Sequence, residues 1–353
     1  MKFTKKSAAA GLPVNRAEKN PSFYIFSEEH MKKFLSLLTA LILLLGLLPS
    51  AVLADDVAEQ PQYLALGDSI TTGLQADGTH LTDGCFVSIV AENGGYAFTN
   101  AGVNTNYASG ILAQFADGSL DEALAEADLI TITIGGNDMK LLLYHLIAET
   151  YTGMTGLPLD PEFGVQNGII GDDPTVRTML LLAAGVVLPG FSEHPQFAPT
   201  LEAFLENFRL VLEHIHTVNS DAEVIVCTQY NPYYRFTLPT ALVMKNEFEA
   251  GILKLNQAIL DHAEEWDYHI ADVYTAFADS EENLSCADDT VMQLDFHPNP
   301  AGHAVIAECI QSVIGGLAEE AEAVEEAVEE AVTEVPEATD PNGEPAFAFT
   351  LIL

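Results

Sequence analysis

Residues Leu129-Ile130-Thr131-Ile132-Thr133-Ile134 run without a charge, and nearly all are branched at Cβ. A strand with one wet face alternates apolar and polar side chains. One this uniform is covered on both faces, as the central strands of parallel sheets are. Similar short runs recur at Tyr63–Leu66, Phe98–Val103, Val224–Thr228 and Tyr268–Val273. Between them lie helical patterns, notably Thr200–Val218 and Leu242–Glu265, with apolar residues at three- and four-residue steps. Strand–helix alternation restricts such a chain to a parallel sheet with right-handed crossovers. Residues 55–316 are therefore read as one α/β domain.

Two stretches depart from the alternation. Residues 140–197 form a long connection with apolar pieces, either a lid or binding insertion or an added pair of packing helices. Residues 317–353 hold eleven acids and no base. Like-charged Glu pairs one helical turn apart weaken a helix there, so this tail is read as a disordered, solvated linker.

The chain has 353 residues, 48% of them apolar, with mean hydropathy +0.18, which excludes wholesale disorder. Its 13 Lys and Arg stand against 52 Asp and Glu, a net charge of −39. Phosphate backbones need cations, so nucleic acid is excluded as a partner, and anionic lipid headgroups are repelled for the same reason. Seven of the 13 cations lie in residues 1–54, leaving six against 49 acids in the remainder.

That N-terminal concentration has a reading of its own. From Met31 the chain shows a basic start (Lys32, Lys33), an apolar run Phe34–Leu48, Pro49, and then Ala51-Val52-Leu53-Ala54. This is the pattern of an export signal over residues 31–54, cleaved after Ala54. The apolar run is short for a hydrocarbon core of about 30 Å, so a secreted protein with no stable membrane anchor is expected. Residues 1–30 precede a complete signal and are read as an upstream extension from a start site set too early. Four cysteines follow, Cys85, Cys227, Cys286 and Cys309. Cys227, inside an apolar run, reads as a buried thiol, and a Cys286–Cys309 bridge stays open.

In parallel α/β sheets chemistry collects at the carboxyl ends of the strands. The first strand ends in Gly67-Asp68-Ser69, placing a serine on a tight strand-to-helix turn; the same residue would serve as a plain helix cap. The third ends in Gly135-Gly136-Asn137-Asp138, where Asn137 either caps a helix or aims an amide N–H at developing negative charge. Near the C-terminus stands Leu294-Asp295-Phe296-His297-Pro298-Asn299-Pro300, a histidine in a proline-restricted loop with an acid two residues upstream.

Taken together, Gly67-Asp68-Ser69, Gly136-Asn137-Asp138 and His297-Pro298-Asn299 resemble the nucleophile, oxyanion-asparagine and histidine blocks of the SGNH (GDSL) hydrolase family, over about residues 61–316. The resemblance implies a three-layer α/β/α sandwich with a parallel, flavodoxin-like sheet of about five strands. It implies Ser69 as nucleophile, His297 as general base and then acid, and Asn137 as an oxyanion donor. Two blocks depart from the family pattern. Thr105 stands where the family has a glycine whose N–H faces the oxyanion, so Thr105 N–H takes that role only if it adopts the required backbone conformation. The family's acid sits three residues before the histidine, which here is Leu294, and Asp295 is one step later. Either the loop is re-registered so that Asp295 serves, or a main-chain carbonyl orients His297.

A serine hydroxyl becomes nucleophilic when a neutral imidazole takes its proton, and the tetrahedral intermediate then needs N–H donors. No metal or cofactor is expected: HExxH, CxxC and phosphate-cradling glycine loops are absent from the sequence, as is GxSxG. The expected function is that of a secreted serine esterase cleaving small-molecule, lipid or acetylated-glycan carboxylic esters. The apolar 140–197 insertion tilts this toward an acyl chain, as in a lipase or lysophospholipase. Tyr230-Asn231-Pro232-Tyr233-Tyr234 leaves a carbohydrate deacetylase open, as a lining for a sugar subsite. The displaced acid and Thr105 leave open an inactive surface-binding module.

Overall fold

Five parallel strands form a single sheet in the order β2-β1-β3-β4-β5: β1 Gln62–Gly67, β2 Ala97–Asn100, β3 Leu129–Thr133, β4 Glu223–Cys227 and β5 His269–Ala271. The register runs Leu64 to Ile130 and Ile130 to Val224. These positions come from a computed structural model, which describes residues 60–333 apart from 172, 240 and 292. The upstream extension 1–30, the export segment 31–54 and residues 334–353 lie outside the described residues.

The side-chain period of two divides each strand between two cores. Leu64, Leu66, Ile130, Ile132, Val224 and Val226 face one layer of helices: α2 (Ala108–Ala116), α4 (Gly136–Thr155), α7 (Phe197–Val218) and α8 (Leu242–Asp261). Tyr63, Ala65, Leu129, Ile225, Cys227 and Ala271 face the other: α1 (Phe86–Gly94), α9 (Val273–Asp279) and α10 (Pro300–Thr333). The short α3 (Asp121–Ala125) leads into β3. This is the three-layer α/β/α sandwich, with β3 buried along its whole length as its composition requires. Phe204 and Phe208 of α7 stack at 5.5 Å beneath the sheet, and burying each ring stabilises by about 2–3 kcal/mol.

The 140–197 insertion is helical: the body of α4, then α5 (Phe163–Ile170), α6 (Pro174–Val187) and a 3₁₀ turn at Phe191–Glu193. Asp173 starts α6 by accepting from the N–H groups of Thr175 and Val176, with Pro174 at the first helical position. Leu142, Leu146, Ile147, Leu180 and Ala183 join the core, so the segment packs as added helices rather than as a loop.

Two expectations change. Helix α10 continues to Thr333, so residues 317–333 are helical where a linker was expected. An already nucleated helix extends at little cost through Ala- and Glu-rich sequence, and this outweighs the like-charge pairs. The four cysteines are free thiols, so the Cys286–Cys309 bridge is not formed.

Candidate active site

The strand order reverses direction between β1 and β3, and in open α/β sheets ligand clefts form at the carboxyl ends beside such a reversal. Ser69 follows β1 there and Asn137 follows β3. The approach is close: a Cβ on Gly67 (φ 149°) would lie 2.5 Å from the Thr133 carbonyl oxygen and from the hydroxyls of Thr133 and Thr71. Glycine is required at that position. Ser69 sits on one helix-like turn (Thr72 N–H to Asp68 O, 3.1 Å) and not at the head of a long helix. Gly73, at φ 76°, ends that turn, and the first full helix begins only at Phe86.

The loop carrying His297 curls at Phe296 and brings three side chains into a line. His297 Nε2 is 2.8 Å from Ser69 Oγ, and its Nδ1 is 2.9 Å from Asp295 Oδ1. The same Oδ1 also accepts the His297 backbone N–H at 2.9 Å. A carboxylate only accepts, so Nδ1 carries the hydrogen and the Nε2 lone pair faces the serine hydroxyl. Burial works against the Asp295 carboxylate, but the His297 ring and N–H and the Lys140 charge outweigh it and hold its pKa below the ordinary value. Ser69 and His297 are both buried, at 4% and 7% exposure.

Several residues outside the motifs hold this loop. Tyr230 Oη donates to the Phe296 carbonyl (2.7 Å) and Tyr233 Oη to the Leu294 carbonyl (2.9 Å). Cys286 N–H donates to the His297 carbonyl (2.8 Å) and Gln75 Nε2 to that of Pro298 (3.0 Å). Of the three tyrosines that the sequence offered as a sugar platform, Tyr230 and Tyr233 are thus buried clamps on the histidine loop, and Tyr230 also lines the cleft described below.

Asn137 lies in the first turn of α4, its Nδ2 donating to the Asn106 carbonyl (3.0 Å) and, at longer range, to Asp68 Oδ2 (3.3 Å). Thr105 has φ 63°, a conformation that disfavours a β-branched residue and suits the glycine of the family pattern. It does not line the cleft described below. Among the described residues, neither Ser69 N–H nor Thr105 N–H donates to a protein acceptor. Asp68 is buried and its pKa is pushed up to about 6 by that burial, despite hydrogen bonds from Ile70 N–H (2.9 Å) and Thr133 Oγ1 (3.4 Å). Burial likewise raises Asp138 to about 7, the neighbouring Asp68 adding to it. Among the described residues no group of three or more His, Cys, Asp or Glu side chains is arranged to hold a metal.

A cleft opens onto Ser69 and Asn137. Its walls are mainly apolar: Met139 and Leu143 of α4, Phe191 of the 3₁₀ turn, Phe197 of α7, and Phe248, Ile252 and Leu255 of α8. The insertion therefore both packs on the core and builds one wall of the cleft. The arrangement can deprotonate a serine beside a site suited to an apolar chain.

A model of the GDSL-like lipase/acylhydrolase family matches residues 65–305. An uncharacterised protein, YpmR of Bacillus subtilis (strain 168), is 23% identical over 258 residues, 71% of this chain and 80% of its own length. Phospholipase A1 from Streptomyces albidoflavus NA297 is 18% identical with a TM-score of 0.47, over 72% of this chain and 99% of its own. Axe2, an acetylxylan esterase from Geobacillus stearothermophilus, is 18% identical with a TM-score of 0.39, over 72% and 94% respectively.

Proposed function

Because the chain belongs to the GDSL-like lipase/acylhydrolase family, we propose that it is a carboxylic ester hydrolase that forms an acyl-enzyme on Ser69 and prefers medium or long acyl chains. The observation that carries this reading is the Asp295–His297–Ser69 line of hydrogen bonds, 2.9 and 2.8 Å, at the edge of an apolar cleft. His297 Nε2 takes the Ser69 proton as Oγ attacks the ester carbonyl. The developing oxyanion is met by the Ser69 N–H group and by Asn137 Nδ2, which releases its longer bond to Asp68. Collapse expels the alcohol with the proton from His297, and water then cleaves the acyl-enzyme by the same route in reverse. Asp295 fixes the tautomer and stabilises the imidazolium. The segment Met31–Ala54 supports export with cleavage after Ala54.

The test combines labelling with a chain-length series. A fluorophosphonate probe should label the wild type and not Ser69→Ala, and kcat/KM should rise from p-nitrophenyl acetate to butyrate and to longer esters. A maximum at acetate would turn the reading to a deacetylase. An unlabelled wild type would turn it to a binding module.

A further inference from the structure

Six cations remain in residues 55–353, against 49 acids. Arg177 is exposed on α6, Arg209 and Lys254 are paired with glutamates, and Arg235 and Lys245 lie against the Tyr234 ring. Lys140 is the one that lines the cleft at Ser69. It stands one turn after Asn137 on α4, so the two share a face. Among the described residues its ammonium forms no salt bridge within 4.0 Å. It lies 4.5 Å from the centre of the Phe296 ring and 5.7 Å from that of Tyr144. Ring faces attract a cation but accept none of its hydrogens in a conventional bond, and the half-buried ammonium has no protein acceptor among the described residues. An oxygen group of a ligand in the cleft would give those hydrogens an acceptor of opposite charge.

The position indicates which part of a substrate it meets. The Phe296 ring neighbours both groups, its centre 4.5 Å from the Lys140 ammonium and 4.6 Å from the centre of the His297 ring. The leaving alcohol must approach His297 Nε2 to receive its proton. Lys140 and the His297 ring thus stand against one aromatic ring, so a group carried a few bonds beyond the leaving oxygen comes within reach of the ammonium.

We propose that Lys140 is a specificity-determining residue that binds an anionic oxygen group, carboxylate or phosphate, carried by the alcohol part of the ester a few bonds beyond the scissile oxygen. This rests on the ester-hydrolase reading of Ser69. The acidic exterior does not cancel the attraction, because exposed charges are screened within about 8–10 Å at ordinary salt while a charge in an apolar-walled cleft is screened less. The charged groups facing Lys140 are Asp68, Asp295 and Glu162, all acidic; burial nevertheless lowers its pKa to about 8. The ammonium, and with it the recognition of an anion, is present below that pH and lost above it.

The experiment compares two substrates that differ only in the anion: the octanoyl ester of a nitrophenol bearing a carboxylate, and the same compound with that carboxylate methylated. A second pair, octanoylglycerol with and without a terminal phosphate, separates the two sources of charge. At pH 7 the wild type should favour the anionic member, chiefly through KM. That preference should fall roughly 10- to 100-fold in Lys140→Met, persist in Lys140→Arg, and decline in the wild type as pH rises through about 8. An unchanged anionic-to-neutral ratio in Lys140→Met would overturn the proposal, whatever its absolute rate. Failure of the wild type to cleave any of the four esters would instead count against the hydrolase reading. Calorimetry of the intact esters with Ser69→Ala, beside Ser69→Ala/Lys140→Met, then still decides the proposal: a loss of affinity confined to the anionic members supports it, and equal affinities refute it.

Discussion

Asp295→Asn tests the geometry of the histidine loop more sharply than removal of the side chain would. Two donors converge on the same carboxylate oxygen, His297 Nδ1–H and the His297 backbone N–H, each at 2.9 Å. A carboxamide can rotate to place either oxygen or nitrogen in that position. Placing nitrogen there would aim a donor at two donors, so oxygen should stay and the Nδ1–H tautomer should survive. What is lost is the negative charge that stabilises the imidazolium in the transition state. Hydrogen bonds to charged groups are worth about 1.5–3 kcal/mol, so the expected loss in kcat is about 10- to 150-fold. A reversed tautomer would cost of order 10⁴-fold instead. The measurement is kcat and kcat/KM on a p-nitrophenyl ester from pH 5 to 9, beside His297→Ala. Because the Asp295 pKa is held below its ordinary value of 3.8, its carboxylate stays ionised across that range and wild-type titration there belongs to other groups. A loss near 10⁴-fold would refute the shared-oxygen argument, and a loss under about threefold would show that the carboxylate does not assist His297.

Three further outcomes follow from individual contacts. Thr105→Gly removes a left-handed strain of about 1–2 kcal/mol and adds about 0.4–1 kcal/mol of unfolded-state entropy, so stability should rise by up to about 1.6 kcal/mol with kcat nearly kept; a clear fall in melting temperature would show that Thr105 is not strained. Asp138 is raised from 3.8 to about 7, so the stability it contributes is complete below about pH 4 and is lost as pH rises through about 7. Asp138→Asn should therefore match the wild type in thermal melts at pH 4 and exceed it by about 1–2 kcal/mol at pH 8; the reverse order would contradict the burial argument. A Cβ on Gly251 meets Phe197 at an ordinary 3.6 Å, so the rest of Gly251→Leu enters the cleft and should lower the palmitate-to-acetate ratio of kcat/KM about tenfold, an unchanged ratio placing the acyl chain elsewhere.

The sheet was legible because its strands are short, apolar and β-branched, and because both faces of β3 had to be covered. Edge strands were less so. The run Phe98–Val103 shrinks to Ala97–Asn100, with Phe98 48% exposed, because an edge strand has one neighbour and its apolar residues need not all be buried. Ser69, His297 and Asp295 were legible as residue types at strand and loop ends. Their contact was not, since side chains two apart in an extended segment meet only if the loop curls, and here the curl depends on hydroxyls more than sixty residues away, Tyr230 and Tyr233. Those tyrosines gave a visible motif whose role cannot be read locally: a clamp and a platform use the same residue types. Lys140 was hidden for a related reason. On a helix read as part of an insertion it is one lysine among apolar residues, and it becomes a site residue only when α4 follows β3 at the reversal of strand order.

The displaced acid and the threonine at the glycine position are two departures handled by different physics. At Asp295 the loop absorbs a one-residue shift because it is irregular, clamped from outside, and its carboxylate can accept the following backbone N–H and the ring together. At Thr105 no such latitude exists, since the N–H direction is set by φ and ψ alone, and the residue takes the left-handed conformation itself. The flanking contacts are what hold it there. Asn106 Nδ2 donates to the Gly67 carbonyl (3.2 Å), the Asn106 carbonyl accepts from Asn137 (3.0 Å), and Asn104 accepts from Thr72 (2.7 Å). The strain at one residue is thus opposed by three hydrogen bonds that also join the carboxyl ends of β1 and β3 to this loop. A site in which the same bonds tie the Ser69 turn, Asn137 and the strained Thr105 together has little freedom to relax one without moving the others.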